Sequence, residues 1–335
     1  MHDLRIQRVL GKLIVYVLLI IICFLAFLPF LWMLRSSFME LKQMYRVPTE
    51  WIPAPFTLEN YKSALEDTGM MRFLGNTVFI VAVNIVGTVF TASMAAYAFG
   101  RLEWKGRDLV FVFILSSMML PGAVTMIPVY VGWSRIGGID TYWPLTLPAF
   151  LGGGAYNIFL LRQFVKGIPK ELDEAATIDG AGRMRIYFDL ILPLSKASLV
   201  VVGMFCFMNV WNDFMGPLLY LNTEAKYTIS LSLQSLKGSY SSKWNLIMAA
   251  SAIVVLPCVV VFLFGQKHII GGIAISGIKG CCPLSARLTK TPSEKRMQAP
   301  PEAASGGVFC TQKLLFTDAK IMYNEEKASV RNRKG

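Results

Sequence analysis

The longest polar interruption between the two apolar halves of this chain is the stretch IPKELDEAATIDGAGRMRIYFDLILP, residues 168–193. It predicts a short helix, a glycine break, a second helix and a stop at Pro193. Pro169 suits the first helical position, where its missing N–H costs nothing. Gly180 can adopt a left-handed conformation and end the first helix. Carboxylates complement the helix dipole in the first turns, and here they are Glu171, Asp173 and Glu174.

The first helix of this stretch has a shallow apolar face. Leu172, Ala175 and Ala176 fall at i, i+3 and i+4, which places them on one side of a helix. Small side chains leave the backbone accessible, so a groove on another protein could approach it closely. Taken alone, the stretch could also be a connector that lies on a membrane surface.

The composition around this stretch is that of a membrane protein. The chain has 335 residues, of which 54% are hydrophobic and 16% charged, whereas soluble domains carry about 25% charged residues. The apolar residues are concentrated in runs that reach the roughly 20 residues needed to span a bilayer. We therefore predict an all-α integral membrane protein of six spans. The predicted spans are 13–34, 73–99, 109–133, 141–161, 197–221 and 244–266.

Particular residues predict bends in the third and fourth spans and close packing of the second. Pro121 and Pro128 predict a kink in the third span. Pro144, Pro148 and the glycines at 152–154 predict a broken or bent fourth span. Stripes of small residues in the second span favour close helix packing. These stripes are Gly87, Thr91 and Ala95, and Thr88, Ala92 and Ala96.

The positive charge indicates orientation rather than nucleic-acid binding. The net charge is +12, and 14 of the 33 Lys and Arg residues lie in segments predicted to be cytosolic within residues 1–280, as the positive-inside rule expects. We predict both termini in the cytosol, residues 35–72 outside and a cytosolic loop at 166–196. The first apolar run exceeds the 7–15 residues of a signal-peptide core, so it is predicted to stay uncleaved.

The fifth span contains the only acidic residue predicted to be buried. Asn209, Asn212 and Asp213 fall at i, i+3 and i+4 and would share one helical face. Polar groups inside a membrane usually face a bundle interior or a watery cavity, which makes these three candidates for a translocation path. The alternative is that Asp213 lies solvated at the outer interface.

The sequence predicts no catalytic centre, cofactor or metal site. It has no G-x-x-x-x-G-K-[ST] phosphate loop, and His2 and His268 are its only histidines. Its six cysteines lack metal-ligand spacing. We therefore expect a protein that is not an enzyme, and if ATP drives it, another subunit must bind the ATP.

The central stretch resembles a known signature. Spaced as in the EAA loop of ABC importer permeases are Glu174-Ala175-Ala176, Gly180 and Leu190-Ile191-Leu192-Pro193. Only Leu190 departs, where isoleucine is usual. In that family the loop forms a coupling helix that docks into the ATPase subunit. The resemblance implies that Glu174, Ala175, Ala176, Asp179 and Gly180 couple this chain to an ATPase.

Other stretches narrow the resemblance to maltose-type carbohydrate permeases. They are residues 56–61, 211–214 and 271–280, so the likeness covers nearly all of residues 1–280. It implies the type I importer fold in a bacterial plasma membrane. It also implies a sugar substrate, a second permease subunit, two ATP-binding subunits and an extracytoplasmic sugar-binding protein.

Two other functions are open to such a membrane protein. One is an ion- or proton-coupled secondary transporter that uses Asp213 as its coupling acid, and the other is a purely structural membrane subunit. The loop at 168–193 favours the importer over both.

Residues 281–335 contain ten basic and five acidic residues without an amphipathic pattern. This composition predicts a disordered tail that transport does not require.

Overall fold

The computed structural model describes residues 2–48, 50–239 and 243–277, and these residues form helices and turns. The predicted tail at 281–335 lies outside the described residues. The helices are α1 His2–Ser37, α2 Leu41–Met44, α3 Glu59–Glu66, α4 Met70–Gly100, α5 Arg107–Ser117, α6 Gly122–Arg135, α7 Trp143–Thr146, α8 Ala155–Gly167, α9 Glu171–Ile178, α10 Arg183–Arg185, α11 Leu192–Leu194, α12 Lys196–Trp211, α13 Met215–Tyr220, α14 Ile229–Ser239 and α15 Trp244–Gly277. Also present are the 3₁₀ turns Leu147–Phe150 and Glu224–Lys226 and the π-helix Ile186–Ile191.

Four helical segments of the described chain are long and apolar enough to cross a bilayer, or six if each of two bent pairs forms one span. Each of these regions overlaps one of the six predicted spans. A helical architecture satisfies every backbone group within the segment, which lipid requires. The single segments are Gly11–Ser37, Met70–Gly100, Trp143–Gly167 and Trp244–Lys267. The bent pairs are Arg107–Ser117 with Gly122–Arg135, and Arg183–Leu194 with Lys196–Trp211.

Helix α4 lies at the centre of the packing. It runs for 31 residues without a proline, so it is about 46 Å long at 1.5 Å per residue. It packs against α8 and α12, and Ala92 and Ala96 are fully buried there. Small side chains at this contact let the helices approach closely. The stripes of small residues thus serve packing, as the sequence predicts.

The third predicted span, 109–133, is broken rather than kinked. Helix α5 ends at Ser117, α6 begins at Gly122, and the two helices meet at 98°. Pro121 causes the break because it has no N–H to continue the ladder and disfavours helical geometry at the residue before it. Its own backbone is extended, with ψ at 132°. Pro128, in contrast, lies within α6.

The fourth predicted span, 141–161, is broken as expected. Helix α7 and a 3₁₀ turn lead into three glycines with positive φ at 152–154, after which α8 runs to Gly167. Gly153 allows the closest approach, since a Cβ there would lie 2.8 Å from the carbonyl oxygen of Thr88 on α4. We call residues 143–154 the broken segment.

Two polar side chains of α4 donate hydrogen bonds to backbone carbonyls of the broken segment. The Asn84 amide donates to the carbonyl of Leu145 at 2.9 Å, and the Thr91 hydroxyl donates to that of Ala149 at 2.9 Å. Non-helical backbone is tolerated at membrane depth only where protein groups or water supply its hydrogen bonds. The irregular segment is therefore fixed to α4 by hydrogen bonds.

A second set of contacts joins the loop before α7 to the loop after α13. The Asp140 carboxylate accepts hydrogen bonds from the backbone N–H groups of Asn222 and Thr223. It also pairs with Lys226 at 2.8 Å. The Lys226 hydrogen bond and those from Thr223 hold the pKa of this carboxyl well below its usual range. These two loops are therefore on the same side of the helical bundle.

We expect Gly153→Ala to lower the melting temperature of the purified protein. Its φ of +65° and the nearby Thr88 backbone leave no room for a β-carbon, and the left-handed conformation alone costs an alanine roughly 1–2 kcal/mol. Thermal unfolding in detergent measures the loss. Gly167→Ala is the matched control because nothing lies within 4 Å of its Cβ position. Equal melting temperatures for the two variants would contradict this account of the broken segment.

Candidate functional site

Helix α9 is the short helix that the central stretch predicts. It spans Glu171–Ile178, with Lys170 at its N-cap. Pro169 therefore lies just before the helix instead of at its first position. The three carboxylates of its first turns are present as expected, and they stabilise the positive end of the helix dipole.

Gly180 ends this helix in the left-handed conformation that the sequence predicts. Its φ is +81°. The N–H of Gly180 donates to Thr177 at 3.0 Å, and that of Ala181 donates to Ala176 at 2.9 Å. This pair of hydrogen bonds is the Schellman motif. It satisfies the last carbonyls of the helix and turns the chain back towards the bundle.

The sequence predicts Ala175 and Ala176 on one docking face of α9, but they lie in different environments. Glu171, Glu174, Ala175 and Ile178 are exposed, and their spacing of i, i+3, i+4 and i+7 places them on one side. We call these four residues the outer face. Ala176, in contrast, packs inward against a buried cluster of the same chain. Ala175 and Ala176 therefore have different environments, because consecutive helical residues point about 100° apart.

The cluster beneath α9 joins several parts of the chain. It consists of Tyr97, Val165, Ile186, Tyr187 and Ile191, all at most 7% exposed. Ala181, Leu190 and Leu192 pack against its edge. The apolar residues of the second half of the stretch thus hold α9 against the bundle, and the π-helix Ile186–Ile191 carries three of them.

A line of polar residues at the end of α4 contacts the same stretch. Ser93, Tyr97 and Arg101 are spaced by four residues, so they follow one side of the helix. Ser93 and Tyr187 share a hydrogen bond of 2.7 Å, and the Tyr97 hydroxyl donates to the carbonyl of Arg183 at 3.0 Å. We call Ser93, Tyr97 and Arg101 the polar stripe.

Arg101 makes the contacts nearest to α9. Its guanidinium donates to the carbonyl of Ile168 at 2.5 Å and pairs with Asp173 at 3.3 Å. The Arg101 side chain is only 3% exposed. One guanidinium therefore binds the chain just before α9 and, at Asp173, the helix itself.

The polar stripe is a set of functional candidates that the sequence alone does not identify. A signal is present in the sequence, because hydroxyl groups and a cation recur every four residues at the end of a mostly apolar helix. Their partners lie 67–94 residues away along the chain. Spacing within one helix does not identify such distant partners, and two of the partners here are backbone carbonyls.

The three candidate path residues do not share a helical face. Helix α12 ends at Trp211, so Asn212 is its C-cap and Asp213 lies beyond it. Asn209 and Asn212 are exposed, and Asp213 accepts a hydrogen bond from the N–H of Gly216 at 3.1 Å. The expectation of one face at i, i+3 and i+4 is therefore wrong. The chain leaves the helix at Trp211, which is buried and bonded to the carbonyl of Val254 on α15.

Metal ligands are not clustered in the described part of the chain. No group of three or more His, Cys, Asp or Glu side chains there could hold a metal ion. The described cysteines, Cys23, Cys206 and Cys258, are free thiols.

Known proteins of similar sequence are membrane permeases. Residues 87–274 match the family described as "Binding-protein-dependent transport system inner membrane component". The arabinooligosaccharides transport system permease protein AraQ of Halalkalibacterium halodurans is 31% identical over 77% of this chain and 93% of its own length. The trehalose/maltose transport system permease protein MalG of Thermococcus litoralis is 31% identical over 82% and 99% of the two chains.

A solved structure has the same fold. It belongs to a bacterial ABC transporter involved in the import of the acidic polysaccharide alginate. The TM-score is 0.67 at 22% identity, over 78% of this chain and 96% of that one. The resemblance to type I importer permeases is confirmed, and the alternative of a secondary transporter coupled through Asp213 is not supported. This chain belongs to the family of binding-protein-dependent transport system inner membrane components, and it is a non-enzymatic permease subunit of an ABC importer.

Proposed function

We propose that this permease subunit translocates a sugar or oligosaccharide. The observation that carries the proposal is the likeness, along most of the chain, to permeases named for arabinooligosaccharides and for trehalose and maltose. The stretches at 56–61, 211–214 and 271–280 support the same substrate class by resemblance. Permease activity would reside in residues 1–280, without the tail at 281–335.

The energy would come from ATP bound by a partner. The sequence contains no phosphate-binding loop, so we infer an assembly with two ATP-binding subunits. The assembly would also contain a second permease subunit and an extracytoplasmic sugar-binding protein. Helix α1 is apolar, and its described side chains are exposed along most of its length. This surface is available to lipid or to a neighbouring subunit, which is compatible with such an assembly.

Helix α9 would be the coupling helix. Glu174 and Ala175 lie on its outer face, where an ATPase subunit could dock, and Ile178 on the same face is 87% exposed. Ala176 and Gly180 would hold the helix in place instead of contacting the ATPase. Ala176 packs the helix on the bundle, and Gly180 closes the turn after Asp179.

We further propose that both termini and the loop at 166–196 are cytosolic. Arg101 and Asp173 are in contact, so the loop after α4 and the loop at 166–196 lie on one side of the membrane. Both loops are rich in Lys and Arg, which favours the cytosol. The contact of Asp140 with Lys226 places two other loops together, and we assign these to the outside.

The translocation path would pass the break between α12 and α13. Asn209, Asn212 and Asp213 lie near this break, where non-helical backbone and polar side chains coincide. Broken helices commonly form substrate sites in transporters. The Asp213 carboxylate would also help to order the start of α13, since it accepts the N–H of Gly216.

Ala175→Trp should weaken docking of the ATPase without disturbing the permease. A large side chain on the outer face would overpack a close contact by about 1–3 kcal/mol, while Ala175 makes no contribution to the buried cluster. Co-purification of the ATPase subunits and uptake of radiolabelled maltodextrins or arabinooligosaccharides in the same membranes measure the effect. The matched control is Ala225→Trp, an exposed alanine in the loop assigned to the outside. Normal co-purification and uptake in Ala175→Trp would contradict the assignment of α9.

The orientation can be tested by thiol labelling in a cysteine-free variant. A cysteine at position 183 should resist a membrane-impermeant reagent in sealed right-side-out vesicles and react after the vesicles are opened. A cysteine at position 225 should react in both conditions, because both positions are exposed on the protein. Labelling of position 183 in sealed vesicles would reverse the proposed topology.

A further inference from the structure

We propose that Arg101 and Asp173 are the positioning pair through which movement of α9 is transmitted to helix α4. This inference rests on the proposed role of α9 as the coupling helix. The pair joins α9 to the longest proline-free helix in the described bundle.

Arg101 connects the end of α4 to two points of the stretch at 168–193. The Arg101 guanidinium bonds to Ile168, before α9, and pairs with Asp173 within it. Arginine suits this task because its planar fork can hold two oxygens at once. Movement of α9 away from the end of α4 would stretch both contacts, so it would be transmitted to α4.

The Arg101–Asp173 pair is not explained by a contribution to the stability of the fold. The Arg101 Nε and the Asp173 Oδ1 are buried without a hydrogen-bond partner among the described residues. Buried ion pairs that are incompletely satisfied contribute little to stability, and apolar residues often replace them without loss. A pair that joins two elements while leaving polar atoms unsatisfied is explained better by a role in positioning.

The rest of the polar stripe prevents α4 from slipping against the stretch. Tyr97 and Ser93 contact positions 183 and 187, beyond the turn at Gly180. Movement of the stretch would therefore carry α4 with it. Closer to its middle, α4 is bonded to the broken segment through Asn84 and Thr91, so displacement at α9 would reach residues 143–154.

A second ion pair of the same loop provides a control. Arg185 and Asp189 are 3.3 Å apart, and their side chains are 73% and 69% exposed. They are separated by four residues of one continuous helical segment, so they connect no separate elements. Exposed pairs of this kind contribute little, and Asp189→Asn makes the same chemical change as Asp173→Asn.

The test uses the complete transporter, with its ATPase subunits and binding protein, reconstituted in liposomes. Uptake and ATP hydrolysis are measured together for Asp173→Asn, Arg101→Lys and Asp189→Asn, along with the amount of ATPase subunit that co-purifies. We expect normal co-purification in all three variants. Uptake per ATP hydrolysed should fall about tenfold in the first two, a usual size for coupling between sites, and should stay at the wild-type value in Asp189→Asn.

Unchanged uptake per ATP in Asp173→Asn and Arg101→Lys would overturn the proposal and leave the docking role of α9 intact. Loss of ATPase association in these variants would also overturn it, because the pair would then maintain the docking surface instead of transmitting movement. If Asp173→Asn is not recovered from membranes, Arg101→Lys decides alone, since it keeps the charge and loses only the fork.

Discussion

The attachment of the stretch at 168–193 to the end of α4 is the contact on which the functional account depends. A helix of eight residues is too short to be stable in water by itself. Helix α9 is held by the buried cluster under Ala176 and by the Schellman turn at Gly180, and the ion pair with Arg101 positions it against α4. These contacts partly cover one face and leave the outer face exposed for a partner.

Helix α4 serves two different neighbours along its length. Near Gly100 it contacts the polar stretch, and through Asn84 and Thr91, closer to its middle, it supplies hydrogen bonds to the broken segment. Lipid offers no hydrogen-bond partners, so the irregular backbone at 143–154 depends on α4 for them. The same helix therefore links the proposed ATPase-docking site to the most irregular backbone of the membrane domain.

The sequence predicts the helical class, the approximate spans, the left-handed Gly180 and the packing of small residues on α4, because hydropathy and backbone sterics are local properties. It does not predict which face of α9 is buried, since Ala175 and Ala176 are chemically identical and only the tertiary contact distinguishes them. The break after Trp211 is also unpredicted, because the apolar run continues through it. The polar stripe depends on contacts across 67–94 residues, which no periodicity reveals.

The central claim is that α9 and α4 move as one body. It can be measured by pulsed electron paramagnetic resonance between spin labels at exposed positions 170 and 86, in the complete transporter with and without trapped ATP. We predict that this distance stays constant to within about 2 Å, close to the rise of one helical residue, while the distance from 170 to a label at 136 changes. A change between 170 and 86 of about 5 Å, one helical turn, would contradict the account.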